Sequence, residues 1–287
     1  MSAGEGPAPE EFLSGRVGHV GPRRAPALRA ADSLLDALQV LRALPRALDA
    51  AARELAPQRV LALSIYRPGS EHIEAAVGEL RATRHELRLA CGSTGDALPA
   101  LADRTALTGL EGGKFQNLNT LLEVAGRHDE DWLLVVDDDV SLPPGFLDRL
   151  LAVAAGLGLD LCQPALTLAS NAAWPVTRRR VLPVARETRF IEIGPVTLFG
   201  RRAAAELLPF PDLRFGWGLD LHWAAVAAQH GWKLGIVDAV AVRHAGSVAS
   251  AYPADAAVAE ARRFLAARDF LPASRAGEVV AAHRSLR

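Results

Sequence analysis

The stretch Asp131–Leu147 has the sequence DWLLVVDDDVSLPPGFL and decides the predicted fold. Its first half is a short, almost wholly apolar run, which is typical of a strand buried on both faces of a sheet. Three adjacent aspartates, Asp137, Asp138 and Asp139, follow this run directly. Ligands of open α/β sheets bind at the carboxyl ends of the strands. We therefore expect the triplet to line a cleft at that edge of the sheet.

Strands and helices alternate around this stretch. Apolar runs predict strands at 59–65, 86–90, 131–136, 159–163, 190–199, 232–237 and 239–242. Helical periodicity predicts helices at 71–83, 114–125 and 221–229, and a polar, basic, proline-broken stretch predicts a loop at 169–189. The alternation predicts an α/β fold with a parallel sheet covered by helices on both faces.

The two ends of the chain are expected to differ from this central domain, 57–250. Residues 1–30 lack periodicity and predict a disordered or loosely packed leader. Leucines at helical spacing predict a helical segment over 31–56, broken or kinked at Pro45. This segment either packs on the main domain or binds a partner or a membrane surface. An alanine-rich, helical tail is expected over 251–287.

The composition excludes several classes of protein. A net charge of −1 over 287 residues gives no bulk electrostatic reason to bind nucleic acid or an anionic membrane. Two cysteines in apolar runs, Cys91 and Cys162, are too few for a disulfide framework and are expected to be buried and reduced. The sequence shows no signal-peptide pattern and no apolar run of about 20 residues. We expect a cytoplasmic protein with no transmembrane segment and no nucleic-acid partner.

The acidic triplet has the chemistry of a cation site. Adjacent carboxylates repel one another and are costly to bury without a cation. Side chains alternate along an extended chain, so Asp137 and Asp139 are expected to point the same way. Such a pair suits one divalent ion, Mg²⁺ or Mn²⁺, with positions left open for phosphate oxygens. The alternative is a solvated surface cluster, which the apolar run before the triplet disfavours.

The stretch 215–223, FGWGLDLHW, is the second informative one. Gly216 and Gly218 permit a tight turn and the close approach of a ligand, and Trp217 could stack on a sugar ring. Asp220 would start a helix, whose dipole favours an ionised carboxylate, and such a group facing a hydroxyl is a general base. The alternative is that Asp220 only caps the helix.

His244 ends an apolar run farther along the chain. A histidine at a strand end is often structural, but a neutral imidazole can complete a metal site with two carboxylates. His222 is the nearest competitor, and we expect it to face its own helix.

The DDD, GWGLD and VRHAG motifs, in this order, resemble those of GT-A glycosyltransferases, and LLVVDDDVSLPPGFL looks like the corresponding segment of family 2. The resemblance spans residues 59–246. It implies a Rossmann-like GT-A fold with a mixed, mostly parallel sheet. It also implies metal-dependent, inverting transfer of a sugar from a nucleotide-sugar donor to a hydroxyl of a sugar, lipid or small-molecule acceptor.

The same resemblance assigns roles in the metal and catalytic site. Asp139 would be the principal metal ligand, helped by Asp137 and His244, and Asp137 or Asp138 would contact the donor. The Glu-Asp pair typical of family 2 is replaced here by Trp217 and Gly218, which leaves Asp220 as the candidate base.

Donor and acceptor contacts follow from the resemblance as well. Ser64, Tyr66 and Arg67 would hold the base and ribose, and Lys114 and Asn117 would line the nucleotide pocket. The strand position that reads uracil in the family is Ala90 or Cys91 here, so the base stays open. Glu192 and Trp217 would meet the acceptor.

A basic loop is a further candidate for an anionic ligand. Arg178, Arg179, Arg180 and Arg186, with Trp174, could hold a diphosphate or an anionic acceptor, or form a solvated surface. Two other functions stay open from the sequence: a nucleotidyltransferase, and a non-catalytic sugar-binding module on a degenerate GT-A fold.

Overall fold

The computed structural model describes residues 6–15, 18–246 and 253–286. Its helices are α1 (Pro9–Phe12), α2 (Ala25–Leu41), α3 (Leu44–Glu54), α4 (Ile73–Arg81), α5 (Lys114–Ala125), α6 (Phe146–Leu157), α7 (Arg201–Leu207), α8 (Leu219–His230) and α9 (Ala254–Leu265). Its strands are β1 (Arg59–Tyr66), β2 (Glu86–Ser93), β3 (Thr105–Leu107), β4 (Trp132–Val136), β5 (Val140–Ser141), β6 (Leu161–Leu166), β7 (Ala185–Thr188), β8 (Val196–Gly200), β9 (Leu234–His244) and β10 (Val279–His283).

The central sheet has the strand order β10-β7-β9-β6-β8-β4-β1-β2-β3. The strands β4, β1, β2 and β3 are parallel, and β6 and β9 are parallel to each other. β8 lies antiparallel between β4 and β6, and β7 lies antiparallel between β9 and β10. All strands of this order except β7 and β8 therefore run in one direction. The predicted α/β fold with a mixed, mostly parallel sheet is confirmed.

Helices cover both faces of the sheet because successive side chains of each strand point to opposite sides. Leu133 and Val135 of β4 belong to the hydrophobic core that includes α5 and α8. Leu134 and Val136 belong to the core on the other face, which includes α3 and α6. Every side chain of β4 is thus buried, as its apolar sequence predicts.

The N-terminal segment is more closely packed than the expected leader. Phe12 of α1 is only 2% exposed and lies in the same core as α5 and α8. The carbonyl of Gly18 accepts a 2.8 Å hydrogen bond from the amide of Ala172. The expected helical break lies just before Pro45, where Ala43 between α2 and α3 has a φ of 52°. The composition of residues 1–30 does not predict these contacts, because they depend on one buried side chain and one backbone hydrogen bond.

The second half of the chain also differs from the expected elements. The strands expected at 232–237 and 239–242 form the single strand β9, because the intervening Asp238 is buried against Arg186 instead of ending the strand. The expected loop 169–189 contains β7, and only the end of the run 190–199 is strand. The expected helical tail adds an edge strand, β10, beside β7.

No described helix has both the length and the apolar character that crossing a membrane requires. Cys91 and Cys162 are free and buried. Burial raises the pKa of the Cys91 thiol to about 12.

Candidate active site

The short strand β5 brings the end of β4 against the end of β9. Val140 pairs with His244 and Ser141 with Arg243, and the amide of Ala245 donates to the Asp139 carbonyl at 3.0 Å. The Nε2 atom of His244 consequently lies 3.4 Å from Oδ1 of Asp139. Asp139 and His244, which are far apart in sequence, thus meet at the carboxyl ends of β4 and β9, although β6 and β8 lie between these two strands in the sheet.

Each aspartate of the triplet faces a different cation. Lys114 Nζ lies 2.7 and 2.8 Å from the two carboxylate oxygens of Asp137. Arg67 donates to the Asp138 carboxylate from its backbone N at 2.9 Å and from its guanidinium at 3.1 Å. The three aspartates therefore contact three different elements: the first turn of α5, the end of β1 and the end of β9.

The surroundings of His244 and Asp139 favour their charged forms. Burial lowers the pKa of His244, but the neighbouring carboxylates of Asp139 and Asp137 raise it overall. Burial likewise raises the pKa of Asp139, but the imidazole of His244 and the positive charges of Lys114 and Arg67 lower it overall. The pair is thus electrostatically coupled.

Two residues that the sequence analysis missed orient His244. Its backbone N donates to Ser170 Oγ at 3.0 Å, and its Nδ1 lies 3.2 Å from the Asn171 carbonyl. With Nδ1 protonated and donating to that carbonyl, Nε2 faces Asp139. A protonated Nε2 pairs with the Asp139 carboxylate, whereas a neutral imidazole offers its Nε2 lone pair to a cation beside that carboxylate. The loop that carries Ser170 and Asn171 has no sequence signal for this role.

Asp139 and His244 can serve as metal ligands. Asp139 Oδ1 is buried and accepts no hydrogen bond from the described residues. A Cβ added to Gly246 would lie 1.9 Å from Asp139 Oδ2 and 3.4 Å from His244 Nε2, so a glycine is needed beside the pair. These two ligands fit a Mg²⁺ or Mn²⁺ ion that takes its remaining oxygens from phosphate and water.

The predicted set of three protein ligands is not assembled. Within the described ranges, no group of three His, Cys, Asp or Glu residues could hold a metal ion. Asp137, which was expected to assist, is instead paired with Lys114 at 2.7 Å. His222 is also not a ligand here, since its Nδ1 lies 2.8 Å from the Asp269 carbonyl.

Asp220 lies in the first turn of α8 and is only 5% exposed. Its Oδ1 accepts a 2.9 Å hydrogen bond from the amide of Leu221. Burial, followed by the negative charge of Glu192, raises the pKa of Asp220 to about 7. Desolvation thus outweighs the helix dipole, which was expected to keep this group ionised. A carboxyl group with such a pKa is half ionised near neutral pH.

Glu192 is the second buried carboxyl group of the site. Its side chain is inside the protein, and Oε2 has no hydrogen-bond partner among the described residues. Burial raises its pKa, whereas the positive charge of His244 opposes this shift. Glu192 therefore couples electrostatically to both Asp220 and the histidine.

The two glycines beside Trp217 allow close packing within the protein and not the approach of a ligand. Gly216 has a φ of +78°, and a Cβ there would lie 2.1 Å from the Phe115 ring. Gly218 has a φ of +83°, and a Cβ would lie 2.9 Å from Leu265. The close approach expected for a ligand is instead made by α5 and α9. Trp217 is half-buried against the core.

The predicted donor contacts divide into two groups. Lys114 and Arg67 remain at the triplet, as described above. Tyr66 is fully buried, and its hydroxyl is bonded to Thr105 and to the amide of Leu98, so it supports the core. Asn117 is buried and donates to the Gly112 carbonyl at 2.9 Å, which holds the turn before α5.

Ser64, the remaining predicted donor contact, is 1% exposed, and its Oγ has no partner within the described residues. The structure therefore buries Ser64, Tyr66 and Asn117 inside the protein, out of reach of a ligand at the surface.

Most of the basic loop is structural. Arg178 donates to the carbonyls of residues 167, 168 and 170, and Arg179 pairs with Asp36 at 2.7 Å. Arg186 is fully buried and pairs with Asp238 at 2.8 Å. Trp174 packs on Phe190 with ring centroids 4.7 Å apart. These contacts favour neither of the two alternatives, an anion site or a solvated surface, because the guanidinium groups of Arg178, Arg179 and Arg186 have partners inside the protein; only Arg180 of the four arginines is exposed.

A cavity of about 340 Å³ lies at the opposite edge of the sheet. Its two carboxylates, Asp131 and Asp160, are paired with Arg201 and Arg202. We therefore assign no ligand to it, and the candidate site remains the charged cluster at the carboxyl ends of β4 and β9.

No protein-family model and no curated protein matches the sequence. Solved structures do match the fold. TarS 1–349 of S. aureus in complex with UDP-GlcNAc is 13% identical with a TM-score of 0.53, over 72% of this chain and 65% of that chain. TarS 1–349 alone is 12% identical with a TM-score of 0.45, over 64% and 59%.

A mannosyltransferase, PcManGT from Pyrobaculum calidifontis in complex with GDP-Man and Mn²⁺, is 17% identical with a TM-score of 0.44, over 75% and 68%. The chain spans 59–65% of the two TarS chains that it matches. At these identities the similarity shows the fold alone, and the comparison with UDP-GlcNAc-bound TarS supports it: the chain has a GT-A-like glycosyltransferase fold.

Proposed function

We propose that this protein transfers a sugar from a nucleotide-sugar donor to an acceptor hydroxyl. One observation carries the proposal. The acidic triplet and His244 form a charged cluster at the carboxyl ends of β4 and β9, and a buried carboxyl group with a pKa of about 7, Asp220, is coupled to this cluster through Glu192. The fold supports this reading, since a structure that shares it, TarS, binds UDP-GlcNAc.

The donor diphosphate is assigned to the cations beside the acidic triplet, Lys114 and Arg67. Asp139 and His244 would hold a Mn²⁺ or Mg²⁺ ion, which when bound neutralises charge that develops on the leaving diphosphate. Lys114 lies in the first turn of α5, within 3.3 and 3.4 Å of the Ile193 and Gly194 carbonyls, and its ammonium group can donate to a phosphate oxygen. Arg67 adds a second, exposed cation at the end of β1.

Asp220 is the proposed general base. Its carboxylate removes the proton of the acceptor hydroxyl while the hydroxyl oxygen forms a bond to the anomeric carbon. The bond between that carbon and the diphosphate oxygen breaks, and its electron pair leaves with the nucleoside diphosphate. One base and direct attack imply inversion at the anomeric carbon. Glu192 and Trp217 are assigned to the acceptor side.

The test measures donor binding and turnover separately. A thermal-shift screen of nucleotide-sugars with and without Mn²⁺ is expected to show stabilisation by one donor when the metal is present. Donor hydrolysis by the wild type should require the metal. Asp220→Asn is expected to abolish turnover and to retain the thermal shift. Asp255→Asn is the matched control, because Asp255 is the second residue of α9 as Asp220 is of α8.

Three results would contradict the proposal. Unchanged turnover in Asp220→Asn removes Asp220 from its role. A wild type that binds a nucleotide-sugar without any turnover indicates a sugar-binding module. Release of pyrophosphate from a nucleoside triphosphate and a sugar phosphate indicates a nucleotidyltransferase.

A further inference from the structure

Exposed apolar side chains concentrate at one place on the described surface. Seven large apolar residues are exposed in the part of the chain that the structure describes, and five of them belong to α2 and to the turn after Arg180. These five form what we name the α2 patch: Leu34, Val40, Leu41, Val181 and Leu182, which are 62, 65, 81, 45 and 52% exposed. Single exposed apolar residues are ordinary, whereas a cluster marks an interaction surface.

The two segments of the α2 patch form one surface. Arg42, directly after α2, donates from Nη1 to the Val181 carbonyl at 3.1 Å and from Nη2 to the Leu182 carbonyl at 3.0 Å. Leu34 and Leu41 are seven residues apart and lie on the same face of α2. The hydrogen bonds from Arg42 thus hold the turn that carries Val181 and Leu182 against the end of α2.

The surroundings of the α2 patch are cationic. The segments 38–47 (LQVLRALPRA) and 178–184 (RRRVLPV) contain five arginines and no aspartate, glutamate or lysine. Arg178 and Arg179 turn inward, and Arg179 pairs with Asp36 of α2, whose side chain is 65% exposed. Arg42, Arg46 and Arg180 are exposed, and none of them forms an ion pair with a described residue. The net charge of −1 for the whole chain hides this local excess of positive charge.

We propose that the α2 patch docks on an anionic lipid bilayer. An exposed apolar helix face flanked by arginines is the combination that binds the interface of membranes with anionic headgroups. A second copy of this chain fits less well, because a two-fold interface through the α2 patch would bring the three exposed arginines of both copies into one contact area.

Docking there would bring the candidate active site to the membrane. Asp32 of α2 accepts hydrogen bonds of 2.9 Å from the amides of Leu168 and Ala169. The next two residues, Ser170 and Asn171, hold His244. That the acceptor hydroxyl is carried by a molecule in the bilayer rests on the proposed function, whereas docking itself does not.

The experiment is sedimentation of the full chain with vesicles of phosphatidylcholine, with and without phosphatidylglycerol as one third of the lipid. We expect binding only to the anionic vesicles and weaker binding as salt is raised. Arg46→Gln should weaken binding about fivefold, since each basic residue near such a surface contributes about 1 kcal/mol. Val40→Asp should weaken it at least tenfold, because it places a charge in the apolar contact.

Val124→Asp is the matched control. Val124 is 56% exposed and is the second-to-last residue of α5, as Val40 is of α2. This control should bind vesicles as the wild type does. Donor turnover measured without vesicles should be equal in Val40→Asp and the wild type, so a failure of docking is distinguishable from a failure of the transferase proposal.

Several results would overturn docking. These are no sedimentation with anionic vesicles, equal sedimentation with neutral ones, and equal losses in Val40→Asp and Val124→Asp. A wild-type dimer in analytical ultracentrifugation that Val40→Asp dissociates, without vesicle binding, would assign the α2 patch to a second copy instead.

Discussion

Replacing Asp220 by Asn is expected to stabilise the folded protein near and above neutral pH while turnover is lost. The folded pKa of Asp220 is about 7 against an ordinary value of 3.8, because its carboxyl group is buried and lies near the charge of Glu192. Between about pH 4 and pH 7 the unfolded chain has released a proton that the folded protein retains. Stability of the wild type therefore falls as pH rises through this window, and the loss is complete above the folded pKa.

The size of this effect follows from the shift. The difference between 7 and 3.8 is about three pKa units. At 1.36 kcal/mol per unit, the ionised carboxylate costs the wild type about 4 kcal/mol above pH 7. An asparagine cannot ionise, and its side-chain oxygen can still accept the hydrogen bond from the Leu221 amide. The variant therefore avoids this cost.

The assay is urea unfolding of both proteins at about pH 5 and pH 8. The stability advantage of Asp220→Asn should grow by about 3 kcal/mol between the two conditions, because part of the wild-type penalty is already present at the lower pH. Asp255→Asn, on the exposed side of α9, should show no such growth. An advantage of Asp220→Asn that is equal at both pH values would refute the raised pKa and the reasoning built on it.

Three further substitutions test the surroundings of the site. Glu192→Gln removes the negative charge that raises the pKa of Asp220, so the acid limb of the pH–rate profile should move to lower pH; an unmoved limb would show that the two carboxyl groups are uncoupled. Gly246→Ala places a methyl group 1.9 Å from Asp139 Oδ2 and should weaken Mn²⁺ binding in calorimetry at least tenfold, while unchanged binding would exclude Asp139 as a ligand. Arg186→Met leaves a buried carboxylate unpaired and should lower the free energy of unfolding by about 3–5 kcal/mol in urea titrations, whereas a loss under about 1 kcal/mol would mean that the buried pair is not needed.

Local sequence was sufficient for the elements that surround β4 in the first half of the sheet. Apolar runs predicted β1, β2 and β4, and helical periodicity predicted α5 with the bounds that the structure has, Lys114–Ala125. These elements were predictable because their patterns arise from burial on one or two faces, which recurs every few residues. β9 was predicted as two strands, since the sequence cannot show that Asp238 finds Arg186 inside the protein.

The candidate site was predictable only as a set of residue types. The sequence placed Asp139 after a buried strand, His244 after another and Asp220 at the start of a helix. It could not predict that β5 brings Asp139 next to His244, or that Lys114 forms an ion pair with Asp137. It also could not predict that Arg178, Arg179 and Arg186 have their partners inside the protein. Each of these pairings joins residues that lie far apart along the chain.

Residue patterns of short range thus specified the strands, the helices and the order of the chemical groups along this protein. The partner of each charge, the pKa of about 7 at Asp220 and the cluster of exposed side chains on α2 arose only when distant segments packed together. The physical reason is that secondary structure depends on neighbours a few residues away, whereas desolvation and ion pairing depend on whatever the folded chain places within a few ångströms.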